Sequence, residues 1–463
     1  MQPAFARLAW PAGLALGAAL LAGALTQVAY LETPVTALAV LAGLAVVTTA
    51  LLRPLWVVYV AIASIPLGVL GFETGAGATV SPAEALFAVA GLGWAARRIV
   101  AGYAPVVQTP VTLPLVLMLC SVLLGLSVAV EESITINRLA LWTCFVLTTM
   151  LVADQARLPQ VRVLIAVLVG VAAVEAVVAA ATLEPGITAT GSSPEERAVG
   201  SFTQPNYLGG FLAVVLPLSL VLTLHGAMAR RILAGAATAA IVTGLVLSQS
   251  RGALIGAAAS LVVLFALPAF RRVAMVAFAA AVTLVAATSL GWIGALAATP
   301  SLQAVESRFT QIDQSGAADQ RADIWSGSFE LALDNAVLGV GLANFPAYAP
   351  EYGILEAGTR EPFLHAHNLP LNVLVELGAL GLLAFVWVAV QVLAMLGRTA
   401  IRGALERRLY AVGLLGSFAA VALHGIADYL FTLNVMAAIL FVVLGATVAV
   451  SRFEQDEDSA RAA

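Results

Sequence analysis

Fourteen long runs of apolar residues constrain this 463-residue chain more than any other feature of its sequence. A helix needs about 20 mainly apolar residues to cross a bilayer, whose interior has no water to satisfy exposed backbone groups. Only 10% of the residues are charged and 61% are hydrophobic, too little charge to cover a soluble globule of this size. The sequence therefore predicts an all-α polytopic membrane protein with about 14 transmembrane helices. The runs cover approximately 11–30, 33–52, 55–71, 82–96, 111–130, 139–153, 161–182, 207–224, 232–248, 252–270, 273–296, 368–397, 409–423 and 429–450.

The basic residues indicate the orientation of the chain, because cytoplasmic loops carry an excess of them. The first run follows Arg7 and is too long for the apolar core of a signal peptide, so we expect an uncleaved anchor. If the N-terminus is cytoplasmic and the runs alternate, 16 of the 22 basic residues fall on the cytoplasmic side. We therefore expect both termini in the cytoplasm. The six outer exceptions are Arg138, Arg197, Arg251, Arg308, Arg321 and Arg360.

Two outer connections are long, at about 183–206 and 297–367, whereas all inner connections are short. The chemistry is therefore expected on the outer side. In the longer loop, apolar residues recur at near-helical spacing, which predicts an amphipathic helix that lies against the membrane or closes the bundle. These residues are Ile324, Trp325, Phe329 and Leu333.

Arg251 is the most informative of the outer arginines. It lies in LSQSRGALIG, a short polar interruption between two apolar runs, so its guanidinium should lie near the outer boundary of the hydrocarbon. An ionisable residue at that depth is costly and is a functional candidate, here for an anion carried at the membrane surface. The alternative is an arginine that extends to lipid phosphates.

A pair of histidines, His365 and His367, ends the longer outer loop and is followed by Asn368. A neutral imidazole can accept a proton from an attacking hydroxyl near neutral pH. The H-x-H spacing could instead bind a metal, but Glu361 is the only carboxylate close in sequence, so we expect no metal. A purely structural pair is the third possibility. The remaining histidines, His225 and His424, are expected to be structural, although Asp428 follows His424 closely.

Amides and one carboxylate form further candidates. Gln204 and Asn206 lie in VGSFTQPNYLGGFL, just before an apolar run, where they could bind sugar hydroxyls or simply start a helix. Glu175 is the one clear carboxylate within an apolar run, and it could pair with an arginine such as Arg251 or line a cavity.

Four signatures occur in order: GSFTQPNYLGGFL, SQSRGALIG, R-x-x-x-W from Arg321 to Trp325 running on to LGVGLANF, and HAHNLPLNVLVELGALGL. Together they resemble the bacterial O-antigen ligase and O-antigen polymerase superfamily. The resemblance implies a ligase-like domain over 195–390, which includes the periplasmic loop 297–367. Other helices would lie at 1–194 and 391–450, and an acidic cytoplasmic tail, expected to be disordered, at 451–463.

This resemblance implies a GT-C-type glycosyltransferase of the bacterial inner membrane that needs no metal or other cofactor. It would use a glycan on undecaprenyl pyrophosphate at the periplasmic side, with Arg251 and Arg321 holding the pyrophosphate. His367, or its neighbour His365, would be the base or would orient the acceptor. The expected substrate-binding residues are Arg197, Gln204, Asn206 and Asn368.

The acceptor distinguishes the remaining alternatives. An O-antigen ligase transfers to lipid A-core, a polymerase to a second lipid-linked repeat, and a protein O-oligosaccharyltransferase to a protein. A polymerase should need basic residues in both outer loops, whereas the shorter loop has Arg197 against Glu184, Glu195 and Glu196, which favours the ligase.

A transporter or flippase is the alternative from another class, but it would place ionisable groups near the bilayer midplane. The chain lacks the basic face of a nucleic-acid-binding protein, and membrane lipids are its expected surroundings.

Overall fold

The computed structural model describes residues 34–73, 79–182, 197–224, 226–265, 271, 317–356 and 359–462, and these residues form mainly α-helices. The helices are α1 (Pro34–Leu52), α2 (Pro54–Ala63), α3 (Pro82–Val100), α4 (Thr112–Gly125), α5 (Glu132–Gln155), α6 (Leu158–Ala181), α7 (Pro205–Thr223), α8 (Met228–Ser248), α9 (Arg251–Phe265), α10 (Ala317–Asp334), α11 (Phe345–Tyr348), α12 (Leu369–Arg402), α13 (Leu405–Gly425) and α14 (Asn434–Ala462). Short 3₁₀ helices occur at Ile65–Leu70, Ala349–Tyr352 and Leu430–Thr432. Two short antiparallel strands, β1 (Phe72–Glu73) and β2 (Thr79–Val80), complete the described structure.

Seven of the described helices are long and apolar enough to cross a membrane, namely α5, α6, α7, α8, α12, α13 and the segment Asn434–Arg452 of α14. The predicted class, an all-helical polytopic membrane protein, is therefore confirmed. Two of the fourteen predicted runs, 11–30 and 273–296, lie outside the described residues. Each of the other runs overlaps a helix, while the total of 14 spans stays a prediction.

The helices begin where local sequence signals place them. Ser81 and Glu84 form a capping box at the start of α3, with Ser81 N donating to Glu84 Oε2 at 2.9 Å. Asn368 caps α12 by accepting a hydrogen bond from Leu371 N at 3.0 Å. Gln204 precedes Pro205, which occupies the first turn of α7, where its missing N–H costs nothing.

Opposite ends of the bundle carry different polar groups. At one end, Glu131 N at the start of α5 donates to Asn344 Oδ1 of the loop after α10 at 2.7 Å. At the other end of α5, Asp154 forms an ion pair with Arg98 of α3 at 3.4 Å. The candidate outer residues and the residues expected in the cytoplasm are thus separated along the helix axes.

The helix α12 is broken at Gly378, where the backbone adopts φ 64° and ψ −170°. Hydrogen bonds from the segment after α10 satisfy carbonyls freed by the break: Val340 N donates to Val375 O at 2.9 Å, and Gly341 N to Glu376 O at 3.0 Å. Irregular backbone in a membrane protein is stable only when it finds such partners within the protein. The break therefore joins the LGVGLANF segment to α12, just beyond the histidine pair.

Replacing Gly378 with alanine should strongly destabilise the protein. The positive φ disfavours any side chain, and a Cβ here would collide with the carbonyl of Val337. We expect a loss of at least about 2 kcal/mol, measured as a lower midpoint of thermal unfolding in detergent. Gly397→Ala in the same helix is the matched control, because its Cβ would have no neighbour within 4 Å. Equal midpoints for the two variants would show that the break carries no strain.

The predicted amphipathic helix of the long outer loop is present as α10. Ile324 and Leu331 are buried against a small second core that includes Phe345, whereas Phe329 and Leu333 are exposed. The helix packs on α12 and on the 3₁₀ helix Ala349–Tyr352. Contact of its exposed face with the membrane stays a prediction.

Candidate functional site

Three of the six outer arginines, Arg197, Arg251 and Arg321, line one pocket of about 130 Å³. They come from the loop before α7, the first residue of α9 and the first half of α10. The remaining lining residues are Asn206, Gln249, Ser250, Gly252, His424, Ala427 and Asp428. The fold thus brings together arginines that the orientation pattern left unexplained.

Arg197 is held in place by a chain of hydrogen bonds that ends at Asp428. Its Nε donates to Ser248 O at 3.1 Å and its Nη2 to Asn206 Oδ1 at 3.0 Å. The Nδ2 of Asn206 donates in turn to Asp428 Oδ2 at 2.7 Å. Burial lowers the pKa of Arg197 to about 10, while Asp428 acts to raise it and Arg251 to lower it. Arg197 therefore remains a cation at neutral pH.

Arg251 lies at a tight connection between two apolar helices, as the sequence predicted. Gln249 ends α8 in the left-handed conformation, with φ 50°, and Arg251 already begins α9. Ser248, Gln249 and Ser250 are buried, whereas Arg251 and Arg321 are partly exposed. These two guanidinium groups can therefore reach an anion in the pocket, next to the N-terminus of α9, where backbone N–H groups also favour negative charge.

His367 forms a direct pair with Asp428, because its Nδ1 lies 3.1 Å from Asp428 Oδ1. The side chain of His367 is 24% exposed and that of Asp428 only 5%. Tyr429 N also donates to Asp428 Oδ1, at 2.8 Å. His367 has φ 49°, an uncommon backbone conformation of the kind that persists where surrounding contacts impose it.

His365 is buried behind His367. Its Nδ1 accepts a hydrogen bond from His367 N at 3.2 Å, and the two ring centroids are 4.1 Å apart. Burial, together with the charge of His367, lowers the pKa of His365 to about 3, although Asp428 acts to raise it. Burial alone would raise the pKa of Asp428, but the imidazoles of His367 and His424 outweigh it and hold that pKa well below its ordinary value. Asp428 is thus an anion at neutral pH and His365 is neutral.

Two of the predicted substrate-binding residues lie outside the pocket lining. Asn368 uses its Oδ1 to cap α12 and its Nδ2 to donate to Ile426 O at 3.1 Å, so it joins α12 to the end of α13. Gln204 precedes the first turn of α7. Neither observation tests binding of a substrate, and both roles stay predictions.

Glu175 has a different partner from the one considered. It lies in the C-terminal part of α6, is fully buried, and accepts hydrogen bonds from the N and Oγ of Ser201. Gly200 has φ 60° and packs so close that a Cβ would lie 2.6 Å from Glu175 Oε2. The carboxylate therefore pairs with the GSFTQPN loop rather than with Arg251, and it holds that loop beside the pocket.

Asp428 is a residue of the candidate site to which the sequence analysis assigned no role. It lies 61 positions from His367, so counting only nearby carboxylates missed it. His365, His367 and Asp428 each offer a possible metal-ligand atom, all within 4.8 Å of one another, so a carboxylate distant in sequence lies beside the H-x-H pair. His367 Nδ1 and Asp428 Oδ1 already form a hydrogen bond with each other, which is an alternative to binding a metal. The single hint in the sequence was the short spacing in HGIAD, which places Asp428 one turn after His424.

His424 also lines the pocket, although it was expected to be only structural. It is buried, and its Nε2 lies 3.8 Å from Asp428 Oδ2. Gly210 and Gly252 lie close to its ring. His424 therefore closes the wall of the pocket behind Asp428.

Comparison with known proteins supports the resemblance seen in the motifs. Residues 236–386 match a family model described as O-antigen ligase. The match contains Arg251, Arg321 and both histidines of the pair, but it does not extend to Arg197, Asn206 or Asp428. No curated protein matches the chain.

Proposed function

We propose that this chain, a multi-pass membrane protein with an O-antigen ligase domain over residues 236–386, transfers a glycan from undecaprenyl pyrophosphate to an acceptor hydroxyl. The family match supports a membrane enzyme of the O-antigen ligase and polymerase type. The finer assignment is an O-antigen ligase of the GT-C class in the bacterial inner membrane, with a periplasmic site and a lipid A-core acceptor.

The observation that carries this proposal is the placement of three arginines around one pocket beside the His367–Asp428 pair. A pyrophosphate leaving group needs positive charge rather than a proton, and guanidinium groups can bind phosphate oxygens through two parallel hydrogen bonds. Charge placed in advance where negative charge develops is commonly the largest contribution to catalysis. The pocket is thus suited to the diphosphate of a lipid-linked donor.

The proposed reaction begins at His367. With Nδ1–H donating to Asp428, the lone pair on Nε2 can accept the proton of the acceptor hydroxyl. The acceptor oxygen attacks the anomeric carbon, while the bond from that carbon to the pyrophosphate oxygen breaks and its electron pair leaves with the pyrophosphate. Arg251 and Arg321 stabilise the departing charge. Attack on the face opposite the leaving group inverts the anomeric configuration.

The position of Arg197 bears on the acceptor. A polymerase would handle two lipid-linked diphosphates, yet the one arginine of the shorter outer loop shares the pocket of Arg251 and Arg321. This arrangement favours the ligase, with the polymerase and the protein O-oligosaccharyltransferase as alternatives. Transport is disfavoured because Glu175, the candidate deep carboxylate, binds Ser201 near a helix end.

A transfer assay with purified protein in detergent tests the proposal. The protein is given a glycan on undecaprenyl pyrophosphate, with lipid A-core, a second lipid-linked repeat and a pilin-like protein offered separately. We expect product with lipid A-core alone. Product only with one of the other acceptors would assign the polymerase or the protein transferase, and no product with folded protein in any reaction would overturn the enzyme proposal for these acceptors.

We also expect transfer to be independent of divalent metal ions, because the arginines supply the charge that the leaving group needs. Activity should be unchanged, within about twofold, after dialysis against EDTA, and metal analysis should find no stoichiometric ion. This measurement is decisive because His365, His367 and Asp428 lie close enough to be considered as ligands. Activity that EDTA removes and one divalent ion restores would show that the mechanism is wrong.

A further inference from the structure

A second cavity, of about 700 Å³, lies at the opposite end of the bundle from the histidine pair, where the ends of α1, α2, α3, α5 and α6 meet. Its lining residues are Leu52, Arg53, Leu55, Trp56, Tyr59, Arg97, Gln155, Gln160 and Val163. Its volume is in the range of sites that hold a small organic ligand. The proposed transfer reaction makes no use of it.

The sequence explains why Arg53 lies at this cavity. A residue before proline is disfavoured in helical geometry, and Arg53 precedes Pro54. Its backbone leaves the helix, with φ −143° and ψ 60°, between the last residue of α1 and the first of α2. The Arg-Pro pair therefore breaks the run of apolar helix and leaves an exposed guanidinium at the membrane boundary.

The cavity is cationic. Arg97 is exposed at the end of α3, and its Nη1 donates to Leu52 O at 2.8 Å, which holds it beside Arg53. Among the described residues, none that lines the cavity is acidic, and the nearby Asp154 already pairs with Arg98. Gln155 and Gln160 add amide groups. The lining is therefore complementary to a phosphate group.

The aromatic and apolar walls indicate that the phosphate belongs to a lipid. Trp56 and Tyr59 pack edge to face with ring centroids 6.5 Å apart, and Trp56 is 62% exposed. Tryptophan and tyrosine are enriched at membrane interfaces, where their rings lie at headgroup level. Basic pockets between transmembrane helices at the cytoplasmic side are known to bind anionic headgroups.

Another, mainly apolar cavity adjoins this one; its charged lining residues are Arg162, Arg230 and Glu406, of which Arg162 and Glu406 form an ion pair. Val163 also lines this adjoining cavity of about 840 Å³, which follows α6 to Val177 and is faced by α8. Small residues such as Ala166, Gly170 and Ala173 leave this space open. Arg162 and Val177 are 15 positions apart, which corresponds to about 22 Å of helix and is comparable to the length of an extended acyl chain.

We propose that the Arg53–Arg97 cavity binds one anionic phospholipid, with its phosphate between the two guanidinium groups and an acyl chain along the α6–α8 groove. Charge complementarity selects the headgroup, and the adjoining, mainly apolar groove accommodates the chain. The site is separate from the donor pocket, so the inference does not depend on the proposed reaction.

Native mass spectrometry of the delipidated full-length protein tests this site. Phosphatidylglycerol is titrated into the wild type, Arg53→Gln, and the double variant Arg53→Gln/Arg97→Gln, while Arg402→Gln serves as a control at an exposed arginine of the same end. With each arginine contributing a factor of about five, we expect Arg53→Gln to bind about fivefold and the double variant about 25-fold more weakly than the wild type. The control should match the wild type. Equal affinity in the wild type and Arg53→Gln would overturn the proposal. If the double variant does not fold because the Arg97 bond to Leu52 is lost, the comparison of Arg53→Gln with the wild type is sufficient to test the site.

Two further comparisons identify the source of the phosphate and the position of the chain. Phosphatidylcholine and inorganic phosphate should each bind the wild type much more weakly than phosphatidylglycerol. Gly170→Leu should weaken binding of long-chain but not of dihexanoyl phosphatidylglycerol, because Gly170 borders open space in the groove. Binding of inorganic phosphate as strong as that of the lipid would overturn the lipid assignment. An unchanged chain-length preference in Gly170→Leu would overturn the placement of the chain.

Discussion

His367→Ala should reduce glycan transfer by about 10²- to 10⁴-fold, the usual contribution of a general base. The physical reason is that Asp428 fixes the ring through a 3.1 Å hydrogen bond, so that Nε2 can take the hydroxyl proton. Turnover is measured in the detergent assay with saturating donor and acceptor. Donor binding should change little, because the arginines of the pocket remain in place.

Two further variants separate loss of the catalytic base from misfolding. Tyr352→Phe removes an exposed hydrogen bond to Asp334; neither residue lines the pocket, so turnover should be unchanged. Asp428→Asn keeps the size of the side chain but removes its charge, so it should lower kcat; because Asp428 also holds Arg197 through Asn206, it should raise the donor KM as well. If His367→Ala is folded and keeps more than a tenth of wild-type turnover, His367 is not the base.

Arg251→Lys should lower kcat/KM for the lipid-linked donor by about 10- to 100-fold, the cost of about one charge-assisted hydrogen bond. Lysine keeps the positive charge but cannot form the two parallel hydrogen bonds of a guanidinium. Because the leaving group gains charge as the reaction proceeds, kcat should fall as well as affinity. Both constants come from initial rates over a range of donor concentrations.

Arg402→Lys is the matched control, because Arg402 is exposed at the far end of α12 and should tolerate the change. Arg321→Lys should behave like Arg251→Lys if both arginines hold the same diphosphate. Wild-type kinetics for a folded Arg251→Lys protein would contradict the role of Arg251 in pyrophosphate binding.

Local signals were enough to predict several parts of the molecule. Apolar runs and the positions of the arginines between them can each be read from a short stretch of the chain. They predicted the helical membrane class, the start of α12, and Arg251 at a tight connection. The helix at 317–334 was predicted from its spacing, but the packing of Ile324 inward and Phe329 outward needed its neighbours.

The pairing of distant side chains was decided by tertiary structure alone. Asp428 reaches His367 because α12 and α13 pack side by side, and Glu175 reaches Ser201 because α6 lies beside the loop before α7. Likewise, nothing near Gly378 in the sequence shows that the carbonyls of α12 are satisfied by the LGVGLANF segment.

The sequence by itself thus determined the membrane class and the apolar runs that the described helices overlap, and it proposed most of the candidate residues. Hydropathy acts over about 20 consecutive residues and capping over one turn, so the order of residues is sufficient to read both. The structure decided which of those candidates contact one another, since a contact between residues far apart in the chain depends on how whole helices pack. The pocket of Arg197, Arg251 and Arg321 beside the His367–Asp428 pair forms only when the helices pack together in the tertiary structure.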